Sequence, residues 1–311
     1  MKCEFKYDDP CIHLIKGDGR DFCKRDSQFL CLETFSSQTP IMSHSARMSW
    51  TRCRYKYYLS NIMGVKIKDH MKGMPLKIGT VIDRFFEYRY QLKPFKEEFK
   101  TLCHALNMGD AEIAKCYAII KAFYDLEVKV EDCGKPQHKI IYEGKTINVK
   151  GYIDCKFDDH ADEIKTSARP DFYRQPFNLK SQLSTYFLAE PSIKYFSVKI
   201  IRVPTLRYNS DKESAEEYQD RLYSSIISRP SYYFIGWKKL ARTFGIKFHR
   251  TEFNLDDIRD DYEKVSADIV RAARDESFYQ SFNCYCPGEC EFLPICKTGG
   301  VSEEIYEYRQ K

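Results

Sequence analysis

The chain has 311 residues, 43% of them hydrophobic and 31% charged, with a formal net charge of +5. That length can bury a substantial core as one large domain or two small ones, and the composition excludes disorder. No run approaches the eighteen or so apolar residues of a membrane span, and no apolar leader opens the chain, so an intracellular, non-membrane protein is expected.

Residues 1–40 are polar and weakly periodic, and they read as a small Cys-rich appendage ahead of an expected main domain over residues 41–311. Two helical stretches are expected between Ser43 and Tyr90, separated by a Gly/Lys/Met-rich loop from Gly64 to Gly79. Apolar positions at helical spacing predict a helix over residues 111–125. Alternation around Glu143, Gly144 and Lys145 predicts a β-hairpin, whose second arm continues through Gly151, Ile153 and Asp154. Residues 163–167 read as a third strand, 179–188 as a helix, 195–203 as a further strand, and 213–228 and 255–275 as amphipathic helices. The expected class is α/β, a mixed sheet flanked by helices. Gly17-Asp-Gly-Arg lacks the GK[ST] ending of a phosphate loop, so no built-in ATP motor is expected.

The acidic residues carry the first chemical signal. Glu163 and Lys165 are two apart on a strand and project from the same face. A hairpin can bring Asp154 beside Glu163, and paired carboxylates offer hard oxygen ligands to Mg²⁺ or Mn²⁺. A neighbouring lysine can orient or help deprotonate an attacking water. Taken alone the spacing also fits an exposed acidic hairpin with a salt-bridging lysine. Asp83 and Glu87 share a helical face, where Asp83 offers a third ligand, or the pair simply forms a solvated surface. Gln182 and Tyr186 are likewise four apart, placed either to meet a DNA backbone and position water or to lie on an exposed helix side.

Thirteen cysteines, an odd number, argue against a disulfide framework. Cys3, Cys11, Cys23 and Cys31 open the chain in two equally spaced pairs that can take Zn²⁺ or remain free thiols. Cys284, Cys286, Cys290 and Cys296 close it. Cys53 lies within a run containing Arg52, Arg54 and Lys56 with interleaved tyrosines, which can grip and stack single-stranded DNA or pack as an amphipathic helix. Cys103, Cys116, Cys133 and Cys155 read as small core residues.

In order, Ser45 with Arg52-Cys53-Arg54, Gly79-Thr80-x-x-Asp83, Gly151-x-Ile153-Asp154, Glu163-Ile164-Lys165, Gln182-x-x-x-Tyr186 and Cys290-x5-Cys296 resemble the RecB-like branch of the PD-(D/E)XK nucleases. That branch includes CRISPR-associated and phage-type exonucleases, and the resemblance covers roughly residues 43–298. It implies a restriction-endonuclease-like core and a metal-dependent DNA exonuclease acting on single-stranded or end-containing DNA, in the cytoplasm of a bacterial or phage-infected cell. It implies Asp154 and Glu163 as metal ligands, Lys165 as the catalytic lysine, and Gln182 and Tyr186 as the Q-x-x-x-Y pair. Asp83 stands where the family usually has histidine. Four thiolates suit a [4Fe–4S] cluster or zinc equally by count, and the resemblance implies the cluster, on Cys53, Cys290, Cys296 and either Cys284 or Cys286. The lack of a built-in motor points to a helicase or recombination protein as a partner. An inactive iron–sulfur DNA-binding protein and a nuclease acting on RNA are the alternatives.

Overall fold

A computed structural model of the protein describes residues 14–17, 20–23, 41–130, 134–144, 147–174, 176–281 and 290–309. The expected zinc site falls on Cys3, Cys11 and Cys31, outside the described residues, and on Cys23, of which only the backbone is described.

The chain begins with an antiparallel hairpin, β1 (Leu14–Gly17) and β2 (Arg20–Cys23), followed by β3 (Ile41–Met42). Ser43 caps α1 (His44–Arg52) by accepting from the Ala46 N–H at 3.1 Å, satisfying one of the donors a helix start leaves open. Cys53 interrupts the helix in an extended conformation, and its sulfur caps α2 (Arg54–Tyr57). A π-turn over Tyr58–Ile62 and strand β4 (Val65–Ile67) follow, the strand inside the segment expected to be loop. Helix α3 (Met74–Tyr90) starts well before Gly79, because Pro75 supplies the fixed φ that suits a first helical turn. The remaining helical part of the first half comprises α4 (Lys96–Ala105), not anticipated from the sequence, and α5 (Asp110–Asp125), close to its expected span.

Strands β5 (Lys135–Glu143), β6 (Asn148–Lys156) and β7 (His160–Ser167) form the expected meander. Helices α6 (Asp171–Arg174) and α7 (Pro176–Ala189) then lead into β8 (Tyr195–Arg202). After these come α8 (Ala215–Ser228), opened by a Ser214–Glu217 capping box, α9 (Pro230–Tyr233) and strand β9 (Ile246–His249). Helix α10 (Leu255–Arg274), α11 (Leu293–Thr298) and β10 (Tyr306–Tyr308) close the chain. No helix among the described residues is long and apolar enough to cross a membrane.

The chain divides into two compact units. The first comprises Met1–Lys68, Glu143–Lys150 and Arg259–Lys311, and the second Asp69–Tyr142 and Gly151–Ile258. The main domain expected over 41–311 is therefore shared between them.

In the first unit, β3 lies parallel to the opening residues of β6, with Ile41 opposite Asn148, and β4 pairs antiparallel with β10. Leu59, Met63 and Val65 are buried against Phe292, Ile295 and Tyr306.

The second unit is an α/β layer structure. Its sheet runs β6, β7, β8, β9, with β5 paired to β6. β6 and β7 are antiparallel, β7 and β8 are parallel from His160↔Tyr195 to Ser167↔Arg202, and β8 and β9 are antiparallel. A parallel pair needs a crossover, and α7 supplies it. Leu179, Leu183 and Phe187 of α7 pack on Ala161, Phe196, Val198 and Ile200 across one sheet face. Ile164 and Ile201 point the other way, into a core shared with Ile82, Phe85 and Phe86 of α3, Phe123 of α5 and Leu222 of α8. The mixed sheet flanked by helices agrees with the expected class.

Gly79 sits in α3 where the helix crosses β7. A Cβ placed there would lie 3.3 Å from Thr166 Oγ1, so the missing side chain permits the close approach. We expect Gly79→Val to prise this crossing apart and lower stability by about 1–3 kcal/mol in urea unfolding. Leu76→Gln, on the exposed side of the same helix, should change stability little. Equal midpoints for the two variants would show that the crossing tolerates a side chain.

Candidate acidic centre and cysteine cluster

Strand alternation places Glu163 and Lys165 on the sheet face covered by α7, while Asp162 and Ile164 turn to the opposite face. Glu163 is almost fully buried at 2% exposure. Its Oε1 accepts from Lys165 Nζ at 2.5 Å and from Gln182 Nε2 at 2.7 Å. The same Gln182 amide nitrogen donates to the Tyr186 hydroxyl at 2.8 Å. Glu163, Lys165, Gln182 and Tyr186, singled out from separate stretches of sequence, thus form one hydrogen-bonded group. Gly151 helps make it possible, since a Cβ there would lie 3.3 Å from both the Tyr186 ring and Ile140.

Asp154 Oδ2 accepts from the Ile164 backbone N–H at 2.6 Å, which anchors its carboxylate to β7. Burial, then the charges of Glu163 and Asp83, push the Asp154 carboxyl well above the usual range, against the pull of Lys165 and the Ile164 N–H. Asp83 approaches from α3. Its carboxyl is pushed up to about 7, chiefly by burial, with Lys165 opposing the shift and Glu163 adding to it. Protein crowds that carboxyl although the residue as a whole is exposed. Water on its open side screens these charges in part. For Lys165, burial favours loss of the proton, but the charges of Glu163 and Asp154 and the hydrogen bond to Glu163 outweigh it, so the ammonium is held more firmly than usual.

The second oxygen of Glu163, Oε2, is buried without a hydrogen-bond partner among the described residues. Leaving such a group unmatched costs on the order of 1–3 kcal/mol, and more when it is charged. A divalent cation would satisfy it and would also relieve the crowding of three carboxylates. The donor set, all oxygen, suits Mg²⁺ or Mn²⁺. No group of three or more His, Cys, Asp or Glu side chains is drawn together as a metal cage among the described residues. Water and a phosphate would have to complete the shell, as is common for Mg²⁺. Glu87, four residues beyond Asp83 in the same helix and so on its face, pairs with Arg84 at 2.5 Å.

A buried pair beneath the centre is not anticipated from the sequence. The Tyr90 hydroxyl donates to Asp162 Oδ2 at 2.7 Å, tying the end of α3 to β7. One signal points to it, because Asp162 precedes Glu163 and must face the other side of a covered strand.

In the first unit, Cys53 and Cys290 are free thiols, with Cys53 buried, and Cys296 is half-buried. Cys53 Sγ accepts from the Lys56 N–H at 3.4 Å. Lys56 reaches Glu291 at 3.1 Å, and Cys290 packs with Tyr55 and Tyr58 on the small core of this unit. The Tyr306 phenol is pushed up to about 12 by burial first and then by Cys290, Glu291 and Cys296. The closing cysteines therefore lie in the same neighbourhood as the segment after Cys53. Cys284 and Cys286 lie outside the described residues. By chemistry, these buried and partly buried thiols suit a soft metal centre.

Of the expected DNA-gripping cations, Arg52 is exposed. Arg54 is bound to Asp268 at 2.6 Å and stacks between Trp50 and Tyr279, with its guanidinium 4.8 Å and 5.0 Å from the rings. Arg54 and Lys56 thus spend charge on their own unit, which favours the packing role over the gripping one. Cys103, Cys116 and Cys155 are buried in the second unit, as expected of core residues, and burial raises the Cys103 and Cys116 thiols, Cys103 to about 11. Cys133 lies outside the described residues.

A carboxyl with a raised folded-state pKa binds its proton more tightly folded than unfolded, so its stabilising effect is fullest at low pH and fades as pH rises. For Asp83 the window runs from the ordinary value of 3.8 to about 7. Metal-free protein should therefore lose stability in urea across that range, and Asp83→Asn or Asp154→Asn should flatten the loss. An unchanged slope in both variants would show that these carboxylates are not crowded. No family model matches the chain, and no curated protein matches it.

Proposed function

We propose that the protein is a metal-dependent deoxyribonuclease of the PD-(D/E)XK type with a restriction-endonuclease-like core, hydrolysing phosphodiester bonds of single-stranded or end-containing DNA. The observation that carries this reading is the buried, unmatched Oε2 of Glu163 beside Asp154 and Asp83, with Lys165 and Gln182 fixing the other oxygen.

Asp154 and Glu163 would hold Mg²⁺ or Mn²⁺, with Asp83 as a further ligand. When bound, the cation neutralises charge on the scissile phosphate and favours a hydroxide-like nucleophile at neutral pH. Gln182 keeps the Glu163 carboxylate in one orientation and links it to Tyr186, so the ligand does not swing when substrate enters. Lys165 retains its proton against the carboxylates, which suits it to stabilise developing negative charge and to orient water. Asp83 in place of the family's histidine keeps the set all-oxygen, which favours hard cations over zinc.

Labelled single-stranded DNA, duplex DNA and RNA, each with Mg²⁺, Mn²⁺ or chelator, test the reading. Metal-dependent cleavage of DNA is expected, reduced roughly 10²-fold or more in Lys165→Ala. Absence of cleavage would favour a binding protein of the same fold, and cleavage insensitive to Lys165→Ala would place the chemistry elsewhere. Preferential cleavage of RNA would reassign the substrate. A helicase or recombination protein is the partner this chemistry calls for, since the sequence carries no phosphate-loop motif.

Cys53, Cys290 and Cys296, with Cys284 or Cys286, would hold a [4Fe–4S] cluster that ties the N- and C-terminal segments of the first unit. Its role is structural, closing a loop of more than two hundred residues. Anaerobically purified protein should be brown, and Cys290→Ser should lose both the colour and thermal stability. Stoichiometric zinc in colourless anaerobic protein would replace the cluster with a zinc site.

A further inference from the structure

The carboxyl ends of β7 and β8 lie side by side, with Ser167 opposite Arg202, two residues beyond Lys165. In sheets with parallel strands this edge is where ligands usually sit. Arg202 organises it. The side chain is only 15% exposed and gathers the segment after β7 and helix α9. Its Nε donates to the Tyr232 carbonyl at 3.1 Å, and one terminal nitrogen reaches the Ala168 carbonyl at 3.5 Å. The other terminal nitrogen lies 3.8 Å from Asp171. The guanidinium also sits 4.2 Å from the Tyr232 ring centroid. The segment after β7 and helix α9 are thereby held together.

Two aromatic rings remain open to solvent on this edge, Phe172 at 56% exposure and Tyr232 at 44%. Exposed Arg169 and Arg229 accompany them, with the Arg229 guanidinium 5.2 Å from the Tyr232 ring. Arg174 is half-exposed and pairs with Asp171 at 3.3 Å. The rim therefore combines a positive field with flat apolar surfaces, next to the strand that bears Glu163 and Lys165. Isolated exposed aromatics are ordinary on protein surfaces. Two of them on short helices, α6 and α9, drawn together by one largely covered arginine amid further arginines, form an organised surface.

The geometry points to this rim as a platform for a single nucleic-acid strand, with bases stacked on Tyr232 and Phe172 and phosphates on Arg169 and Arg229. The inference rests on the nuclease reading for the identity of the polymer and adds to it the surface that takes an unpaired strand. Unpaired bases expose both faces to an aromatic ring, whereas duplex bases are already stacked on one another. Arg202 acts as a positioning residue, since its guanidinium is turned to the Tyr232 and Ala168 carbonyls and to Asp171. Strand captured here would leave the rim beside Lys165, so the platform sets affinity and strand choice while the acidic centre sets the rate of cleavage.

Fluorescence anisotropy in chelator, with labelled oligo-dT, oligo-U and a duplex of equal length, tests this without any cleavage. Single strands should bind more tightly than duplex. Tyr232→Ala and Phe172→Ala should each weaken single-strand binding about tenfold, while Tyr232→Phe keeps it. Arg229→Gln should lower the slope of log affinity against log salt by about one. Both rings are substantially exposed, so either alanine variant reads the platform independently should the other disturb folding. Undiminished single-strand affinity in both alanine variants, or tighter binding of duplex, overturns the proposal. Oligo-dT against oligo-U shows whether the strand is DNA or RNA. A protein that binds through Tyr232 yet never cleaves would sink the nuclease reading and leave the platform standing. Cleavage with unchanged KM in Tyr232→Ala and Phe172→Ala would do the reverse.

Discussion

Parallel pairing of β7 with β8 is the constraint on which the second unit depends. Two parallel strands cannot be joined by a tight turn, so the chain must leave the sheet, cross one face and return. Helix α7 makes that crossing, and its apolar side is sealed onto Ala161, Phe196, Val198 and Ile200. Once it is seated, Gln182 has no choice but to lie over β7, where it meets Glu163. The absence of a side chain at Gly151 lets the Tyr186 ring settle against β6, and the absence of one at Gly79 lets α3 close over Thr166 from its own direction. Two glycines and a crossover thus largely assemble the acidic centre.

Electrostatics then sets the character of that centre. Burial first, and then the charge of Glu163, raises the cost of ionising Asp83 and Asp154, and Asp83 adds to the cost at Asp154. Lys165 offsets part of this cost and is itself held charged by it. What remains uncompensated is Glu163 Oε2, a buried oxygen with no hydrogen-bond partner among the described residues. Strongly perturbed carboxylates around an unmatched oxygen are the pattern expected where binding or catalysis competes with folding.

The first unit is held differently. Trp50, Arg54 and Asp268 lock α1 and α2 to the helix α10, through bonds of 3.1 Å and 2.6 Å to one carboxylate oxygen. Lys56 and Glu291 join the segment after Cys53 to the one that carries Cys290. The basic and aromatic run around Cys53 is therefore largely turned to internal bonding. This explains why a charge pattern that looks suited to DNA need not be available to it.

Much of the fold is legible in the amino-acid sequence, because it depends on local periodicity. Period-two alternation marks β5 to β8, helical spacing marks α5, α7 and α8, and side-chain alternation alone puts Glu163 and Lys165 on one face. The early start of α3 at Pro75 is less visible, since Gly and Met nearby look like loop. Strand β9 escapes notice because its stability comes from pairing with β8 and from burial of Phe248 against distant neighbours rather than from its own pattern. The division into two units has no local signature, as each unit is built from separated stretches of chain. Nor has the contact of Glu163 with Gln182, nineteen residues away and reached only through the crossover. The arginine-pinned rim beyond β7 depends on Tyr232, thirty residues from Arg202. Sequence by itself determined which residues share a face, because that follows from backbone geometry. Only the tertiary structure decided which faces meet, because that follows from how apolar surface is buried across the whole chain.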